Sequence, residues 1–301
     1  MMRLLRFFPP VLALALLAGP RPARALSDAE AAAGRALAAR YADMIVNVEV
    51  VATIKITAGE RSLAPQEARF DPNGTVISPT GLTVTALSQI DPRSNLESMI
   101  RTRAPGQHVE IGDTEYKEVK LRRADGTEVP ARVVLKDVDL DLAFIAPTED
   151  PAGGRKPFAY VDLDQTATAT VLGDYFVVTR APKALQRVPL VQSATLEGVD
   201  AKPRLFYIVG GIALGCPVFD SQGRTLGLGL TYFVNGRATG PIVMPAADVA
   251  EEARQAAAVK PPPPPAIDDD AKSGAPAAPS ASAVPAPNPG AAAPPPANGS
   301  P

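Results

Sequence analysis

Few side chains in this chain of 301 residues could carry out nucleophilic or acid–base chemistry. It has one cysteine, Cys216, and one histidine, His108. His108 falls in the weakly patterned segment 89–113, which we predict to be a long loop, and this favours a surface histidine over a catalytic base. Pro217 follows Cys216 and has no N–H to offer an oxyanion. We therefore interpret Cys216 as a small buried residue, and leave open an accessible thiol or a nucleophile.

Two groups of acidic residues could suggest a cation site. The first group is Asp137, Asp139 and Asp141, and the second is Asp268, Asp269 and Asp270. The first group alternates along one strand approach beside Lys136, which favours ordinary solvated carboxylates. We expect Asp141 to hydrogen-bond nearby backbone. Nothing around the second group pre-organises ligands, so we interpret it as a solvated charge cluster. The sequence therefore predicts no metal and no cofactor.

The first 25 residues have the features of a secretory signal. Arg3 and Arg6 give a basic start, residues 11–17 form a short apolar core, and Ala23-Arg24-Ala25 fits a small-x-small cleavage pattern. The apolar run is shorter than the ~20 residues that span a bilayer. We predict a cleaved leader over 1–25, export across the inner membrane, and no integral membrane segment afterwards.

The end of the chain, residues 260–301, consists mostly of Pro, Ala, Gly and Ser. Such a composition has too little large apolar surface to offset the entropy of ordering, so we predict a disordered, partly polyproline-II tail. Two interpretations of its role stay open, namely a tether or spacer and a linker without function.

Residues 26–259 are numerous enough for one large all-β domain or two small ones. The net charge of −2 gives no electrostatic footprint for nucleic acid. Ser27 and Glu30 have capping-box spacing, which predicts a short helix to about Ala42. About a dozen short runs of strand alternation then follow in two clusters, so we predict a pair of β-barrels.

We predict barrel 1 at about 44–147, barrel 2 at about 157–245, and a short C-terminal helix at 246–257. In barrel 1 the predicted strands include the hairpin 74–78 and 82–86 around Pro79-Thr80-Gly81, followed by 116–121, 129–134 and 141–145. In barrel 2 they are 158–161, 175–179, 188–192, 205–209, 218–219, 226–232 and 239–244.

Several motifs occur in an order that resembles the trypsin-like domain of HtrA/Deg-type periplasmic serine proteases. They are Gly74-Thr75-Val76-Ile77-Ser78-Pro79-Thr80-Gly81, Asp141-Leu142-Ala143, Gly215-Cys216-Pro217 with the turn Asp220-Ser221-Gln222-Gly223, and Ile242-Val243-Met244-Pro245. The resemblance covers roughly residues 30–257. It implies an all-β chymotrypsin/trypsin-like fold of two six-stranded antiparallel β-barrels with short terminal helices. It also implies a periplasmic location, although an extracellular one stays open.

The resemblance breaks down at the catalytic positions. Ser88 lies where the family has its histidine, and Leu214 lies where it has its serine. The aspartate is present as Asp141, and Ile212 replaces a glycine that supplies an oxyanion N–H in the family. A β-branched residue with positive φ is a conformational outlier, so we expect this loop to adopt a different conformation. The resemblance then implies a degenerate triad and a pseudoenzyme.

We therefore predict a secreted, inactive protease homologue that binds an extended peptide or a partner protein. In the family, substrates add as a strand beside the segment that follows the nucleophile loop, here Leu228, Gly229, Leu230, Thr231, Tyr232 and Phe233. A pocket beside Leu214 would be made more apolar, or filled, by Leu214 and Ile212. Two alternatives stay open: a divergent serine- or cysteine-type endopeptidase, and a structural component of an envelope assembly tethered by its tail. The sequence predicts no oligomeric state.

Overall fold

The computed structural model describes residues 26–58, 61–62, 65–91, 93, 96–97, 109–148 and 156–259. The predicted leader, His108 and the predicted tail lie outside the described residues. Helix α1 (Asp28–Tyr41) begins with the expected capping box, in which the Ser27 hydroxyl accepts from the Glu30 N–H at 3.2 Å. The Glu30 carboxylate accepts from the Ser27 N–H at 2.6 Å. Helix α2 (Ala246–Ala258) ends the described chain.

Barrel 1 contains seven strands: β1 (Ile45–Ile54), β4 (Gln66–Phe70), β5 (Asn73–Val76), β6 (Thr83–Ala86), β8 (Glu115–Arg122), β9 (Glu128–Asp137) and β10 (Leu142–Pro147). β4 and β5 pair with successive parts of β1 and together occupy one position in the barrel. The ring runs β1, β5, β6, β10, β9, β8 and closes through the pairing of β8 with β1. A small separate sheet consists of β2 (Ile56–Ala58), β3 (Arg61–Ser62) and β7 (Val109–Ile111).

Barrel 2 is a closed six-stranded barrel, with the strand order β11, β12, β13, β16, β15, β14. These strands are β11 (Asp174–Arg180), β12 (Pro189–Asp200), β13 (Phe206–Gly210), β14 (Pro217–Phe219), β15 (Thr225–Val234) and β16 (Arg237–Pro245). All pairings between these strands are antiparallel. The predicted fold class, a pair of six-stranded antiparallel barrels with two short helices, is confirmed.

The two barrels meet across a shared apolar interface. Val84 and Phe144 of barrel 1 belong to the same buried cluster as Leu228 and Leu230 of barrel 2. Arg180 of barrel 2 reinforces the junction, because its guanidinium donates to the carbonyl of Ile45 at 2.6 Å. Burial of this apolar surface stabilises the junction, and the walls of the cleft between the barrels are therefore held in fixed positions.

Two details of the predicted strands are wrong. Residues 158–161 form no strand, although Phe158 and Val161 are buried. The Phe158 N–H donates to the Pro79 carbonyl, and the Val161 N–H donates to the Val76 carbonyl. These two separate hydrogen bonds do not form the continuous ladder of a β-strand. In addition, β7 lies inside segment 89–113, which was predicted to be a loop throughout.

Candidate functional site

Asp141 lies at the centre of the cleft between the barrels, directly before β10, and its side chain is almost completely buried. Its backbone has a positive φ of 60°, a left-handed conformation that Asp adopts more readily than most residues. This turn directs the carboxylate at two donors. Oδ1 accepts from the Ser88 N–H at 2.6 Å, and Oδ2 accepts from the Thr231 N–H of β15 at 2.7 Å. The carboxylate therefore bridges barrel 1 and barrel 2.

Ser88 lies on a short 3-10 helix, Leu87–Gln89, that follows β6. Its hydroxyl donates its one proton to Asp141 Oδ2 at 3.0 Å and can therefore only accept from the Thr231 hydroxyl, which lies 3.2 Å away. The backbone holds this geometry, because the Leu87 N–H donates to the Asp141 carbonyl at 2.8 Å. A serine hydroxyl has no proton affinity near neutral pH, so it cannot act as a general base in this position.

Burial raises the pKa of Asp141 above its ordinary value, although the N–H bonds from Ser88 and Thr231 oppose the shift. Among the described residues, no ion pair involves this carboxylate. Burial without a cation disfavours the charged form, and this effect outweighs the hydrogen bonds. The site therefore holds a buried acid whose partners are two N–H groups and a hydroxyl.

Ile212, Ala213 and Leu214 are partly buried and pack against the main apolar cluster. Positive φ values occur at the flanking glycines, 77° at Gly211 and 72° at Gly215, and Ile212 is not among the positive-φ residues described. A side chain on Gly215 would lie 2.5 Å from the Asn73 carbonyl oxygen. The chain therefore turns at Gly211 and Gly215, and the three side chains between these glycines are apolar.

Cys216 is completely buried, and its thiol lies 3.2 Å from the Thr179 hydroxyl. Burial raises the pKa of the thiol to about 12. A reactive cysteine needs a lowered pKa and access to solvent, and Cys216 has neither. This geometry agrees with a small buried residue and gives no support to a nucleophile or an accessible thiol.

The residues of the predicted peptide-binding segment of β15 differ in how their side chains and backbone groups are used. Leu228 and Leu230 point into the apolar core and are almost fully buried. The Gly229 N–H and carbonyl are already bonded, to the Cys216 carbonyl at 3.0 Å and the Gly215 N–H at 2.8 Å. Because backbone orientation alternates along a strand, Thr231 and Phe233 face the same way as Gly229.

The Thr231 N–H is taken by Asp141. By the same alternation, the Thr231 carbonyl and the N–H and carbonyl of Phe233 point away from β16, as those of Gly229 do.

A cavity of ≈ 280 Å³ lies beside Leu214. It is lined by Asn47, Asp71, Pro72, Asn73, Gln89, Arg180, Ala181, Pro182, Ala213 and Leu214. Half of these ten residues are polar and half are apolar, and Leu214 lies among the apolar ones. Gln89 directly follows Ser88, and the cavity therefore brings the Ser88 helix and Leu214 to one part of the cleft. A direct contact joins Ser88 with Asp141, whereas Leu214 packs against the apolar cluster.

Sequence reasoning missed the role of Thr231 as a donor to Asp141. The only signal was its position on a strand edge predicted to bind peptide, and nothing in its residue type pointed to a carboxylate far away in the chain. Across the part of the chain that the structure describes, no three metal-ligating side chains form a group. In that same part, no helix has both the length and the apolar character to cross a membrane.

Comparison with protein families gives one match, a model of the trypsin-like peptidase domain, which covers residues 73–228. Among solved structures, the chain is similar to the MamO protease domain from Magnetospirillum magneticum in its apo form. The alignment has 14% sequence identity, covers 71% of this chain and 97% of that chain, and gives a TM-score of 0.42. Comparison with curated proteins gives no match.

Proposed function

Because the chain belongs to the family of trypsin-like peptidase domains, we propose that it binds extended peptides or partner proteins without cleaving them. One feature supports this most: the Asp141 carboxylate is occupied by Ser88 and Thr231. In a serine protease the aspartate orients an imidazole that takes the proton of the nucleophile. Here a hydroxyl and two N–H groups occupy the carboxylate, and none of them can take that proton.

The loop over residues 211–216 supports the loss of the nucleophile. Leu214, at the position of the family serine, has an aliphatic side chain that cannot attack a carbonyl. Cys216 is the nearest thiol, and it is inaccessible and held in its neutral form. Ile212 occupies the position of a glycine that donates an oxyanion N–H in the family. Loss of base, nucleophile and oxyanion donor together argues against peptide hydrolysis.

The free edge of β15 supports binding. A peptide that adds as a strand gains main-chain hydrogen bonds from the exposed edge. In this chain those bonds would come from the Thr231 carbonyl and the Phe233 N–H and carbonyl, at a cleft held open by two closed barrels. Such binding needs no catalytic group, so it can persist where catalysis has been lost.

We further propose that the domain acts outside the cytoplasm, in the periplasm. The predicted leader over residues 1–25 supports export. The tethering role of residues 260–301 stays a prediction.

Strand addition is tested with a scan of N-methylated peptides. Binding of a fluorescent extended peptide to the full chain is measured, and each peptide bond is N-methylated in turn. We expect a period of two, because N–H groups on one side of the added strand pair with β15 and those on the other side do not. A flat profile would contradict strand addition. A serine-directed fluorophosphonate and a thiol-directed iodoacetamide probe should leave the folded chain unlabelled, and labelling that competes with the peptide would contradict inactivity.

A further inference from the structure

β4 lies at a free edge of the barrel 1 sheet, beside the part of β1 that β5 does not reach. Among the strands that the structure describes, β4 pairs with β1 alone, whereas β5 and β8 each pair with strands on both sides. The pairing runs from Gln66 to Phe70 without a register shift, and β4 contains no proline. β4 is therefore a regular edge strand without the bulge or the proline that blocks many sheet edges.

The register shows which backbone groups of β4 point outward. The Val48 N–H of β1 donates to the carbonyl of Pro72, two residues beyond Phe70, at 2.8 Å. Successive pairs of an antiparallel ladder alternate between hydrogen-bonded and non-hydrogen-bonded, so Ala68 and Phe70 direct their N–H and carbonyl groups at β1. Glu67 and Arg69 direct theirs the other way, to the edge that no described strand covers.

The side chains of Glu67 and Arg69 lie on one face of β4, because residues two apart in a strand point to the same side. They are 56% and 78% exposed, and the Arg69 guanidinium pairs with the Glu67 carboxylate of its own chain at 3.1 Å. The free edge thus carries one negative and one positive residue, with Ala68 between them. An edge with charges of one sign would repel a second copy of itself, whereas this edge complements its own antiparallel copy.

A second copy of the chain fits this edge when the two β4 strands run antiparallel about a two-fold axis at Ala68. Glu67 of each copy then lies opposite Arg69 of the other copy. Both residues have outward N–H and carbonyl groups, so each such pair exchanges two hydrogen bonds. Each pair also brings opposite charges face to face, while the small Ala68 side chains meet at the axis. Neither copy gives up its own pairing with β1.

We propose that β4 is a self-association edge, and that two copies of this chain form a two-fold dimer through Glu67 and Arg69. The arrangement closes, because each copy uses its one β4 edge, so the product is a dimer and not a fibre. The contact is small beside those of stable complexes, which makes the dimer weak. β4 contributes no residue to the Asp141 site or to the proposed peptide edge of β15, so the inference goes beyond the proposed function and does not depend on it.

Analytical ultracentrifugation of the full chain measures the association. The chain is studied from about 1 μM to about 1 mM, a range that includes the Kd values of weak complexes. We expect a reversible equilibrium between monomer and dimer with no larger species. A chain that stays monomeric at every concentration would overturn the proposal, and so would an assembly that grows beyond the dimer.

Hydrogen exchange at single amides locates the contact. The N–H groups of Glu67 and Arg69 should exchange more slowly as the concentration of the chain rises, because only the dimer gives them hydrogen-bond acceptors. Ala68 already donates to β1 and should change less. Association that protects another surface and leaves Glu67 and Arg69 unprotected would contradict the assignment to β4.

Charge reversal tests the arrangement of the two strands. Glu67→Arg leaves two cations on the edge and Arg69→Glu leaves two anions, so each variant alone should dimerise at least about 10-fold more weakly than the wild type. A mixture of the two variants places every cation opposite an anion again. We expect a heterodimer with a Kd within about 3-fold of the wild-type value. No heterodimer in the mixture, or single variants that dimerise like the wild type, would refute the two-fold axis at Ala68.

Lys117→Glu is the matched control for Arg69→Glu. Lys117 and Glu115 form the same pair of opposite charges two residues apart on β8, and both are about half exposed. The two substitutions change the net charge by the same amount, but β8 lies between β1 and β9 and is no edge strand. The dimer Kd of Lys117→Glu should equal that of the wild type. Equal weakening in both variants would mean that net charge, and not the β4 edge, controls the association.

Discussion

Asp141 and the loop over residues 211–216 differ in what their side chains contact. At Asp141 the acidic side chain is present and its hydrogen-bonding capacity is used by Ser88 and Thr231. In the loop the glycine turns are present, at Gly211 and Gly215, but the side chains between them are apolar. One region thus uses a polar side chain as a hydrogen-bond acceptor, and the other places apolar side chains between two glycine turns.

This contrast suggests why an acid can persist in a cleft whose described residues include no histidine. Asp141 joins the Ser88 helix to β15, so removing it would leave two N–H groups buried without an acceptor. Unsatisfied buried donors are costly. In the account proposed here, Asp141 is a structural bridge between the barrels, and the loop is a packing element beside it.

The largest expected effect is on the loop backbone. Gly215→Ala would bring a Cβ to 2.5 Å from the Asn73 carbonyl oxygen, at a φ of 72°. We expect a loss of about 2–5 kcal/mol in the free energy of unfolding, from the left-handed conformation and the overlap together. Chemical denaturation measures it.

Gly126→Ala is the matched control for this change. Gly126 also has a positive φ, 84°, but a Cβ there would meet nothing within 4 Å. We expect only the conformational cost, about 1–2 kcal/mol. Equal losses in the two variants would show that the loop is not packed against barrel 1 as described.

Asp141→Asn tests the bridge. The new amide nitrogen would face either the Ser88 N–H or the Thr231 N–H, so one donor would lose its acceptor. We expect a loss of about 1–3 kcal/mol in the free energy of unfolding at neutral pH. An unchanged midpoint of unfolding would mean that the bridge contributes nothing to stability.

The difference in unfolding free energy between the wild type and Asp141→Asn should depend on pH, and this dependence tests the raised pKa of Asp141. Burial raises the pKa of Asp141 in the folded state, so the folded chain binds the proton more tightly than the unfolded chain. The wild type should therefore gain stability over Asp141→Asn as pH falls through the folded pKa, and the gain should be complete below about pH 3.9. The hydrogen bonds allow this, because a protonated Oδ2 can donate to the Ser88 hydroxyl, which then donates to Thr231. A difference that stays constant with pH would contradict the raised pKa.

Much of the fold could be predicted from the sequence because strand alternation and turn residues are local signals. The hairpin around Pro79 and Gly81 and the capping box at Ser27 are of this kind. The bridge could not be predicted, since Thr231 is 90 residues from Asp141 and meets it only when the barrels pack. Residues 158–161 were predicted to be a strand because their apolar pattern is that of a buried strand. The pattern does not tell whether the backbone pairs with a neighbouring strand.

The smallest expected effects on the free energy of unfolding come from one substitution at the Asp141 site and one in the loop. Ser88→Ala removes the hydroxyl but keeps the N–H bond to Asp141, so we expect a loss of about 0.5–1.5 kcal/mol in unfolding free energy. Leu214→Ser removes part of a half-buried apolar side chain and should cost roughly 1 kcal/mol. Neither variant should gain peptidase activity, because neither supplies a base. Hydrolysis by Leu214→Ser alone would contradict this.

The central claim, binding without cleavage, is tested most directly by mass spectrometry of a bound peptide. The full chain is incubated to saturation with an extended peptide that it binds, and the recovered peptide is analysed for new termini. We predict that the peptide is recovered intact. New termini that appear with the wild type and are lost in Ser88→Ala or Cys216→Ala would contradict the account.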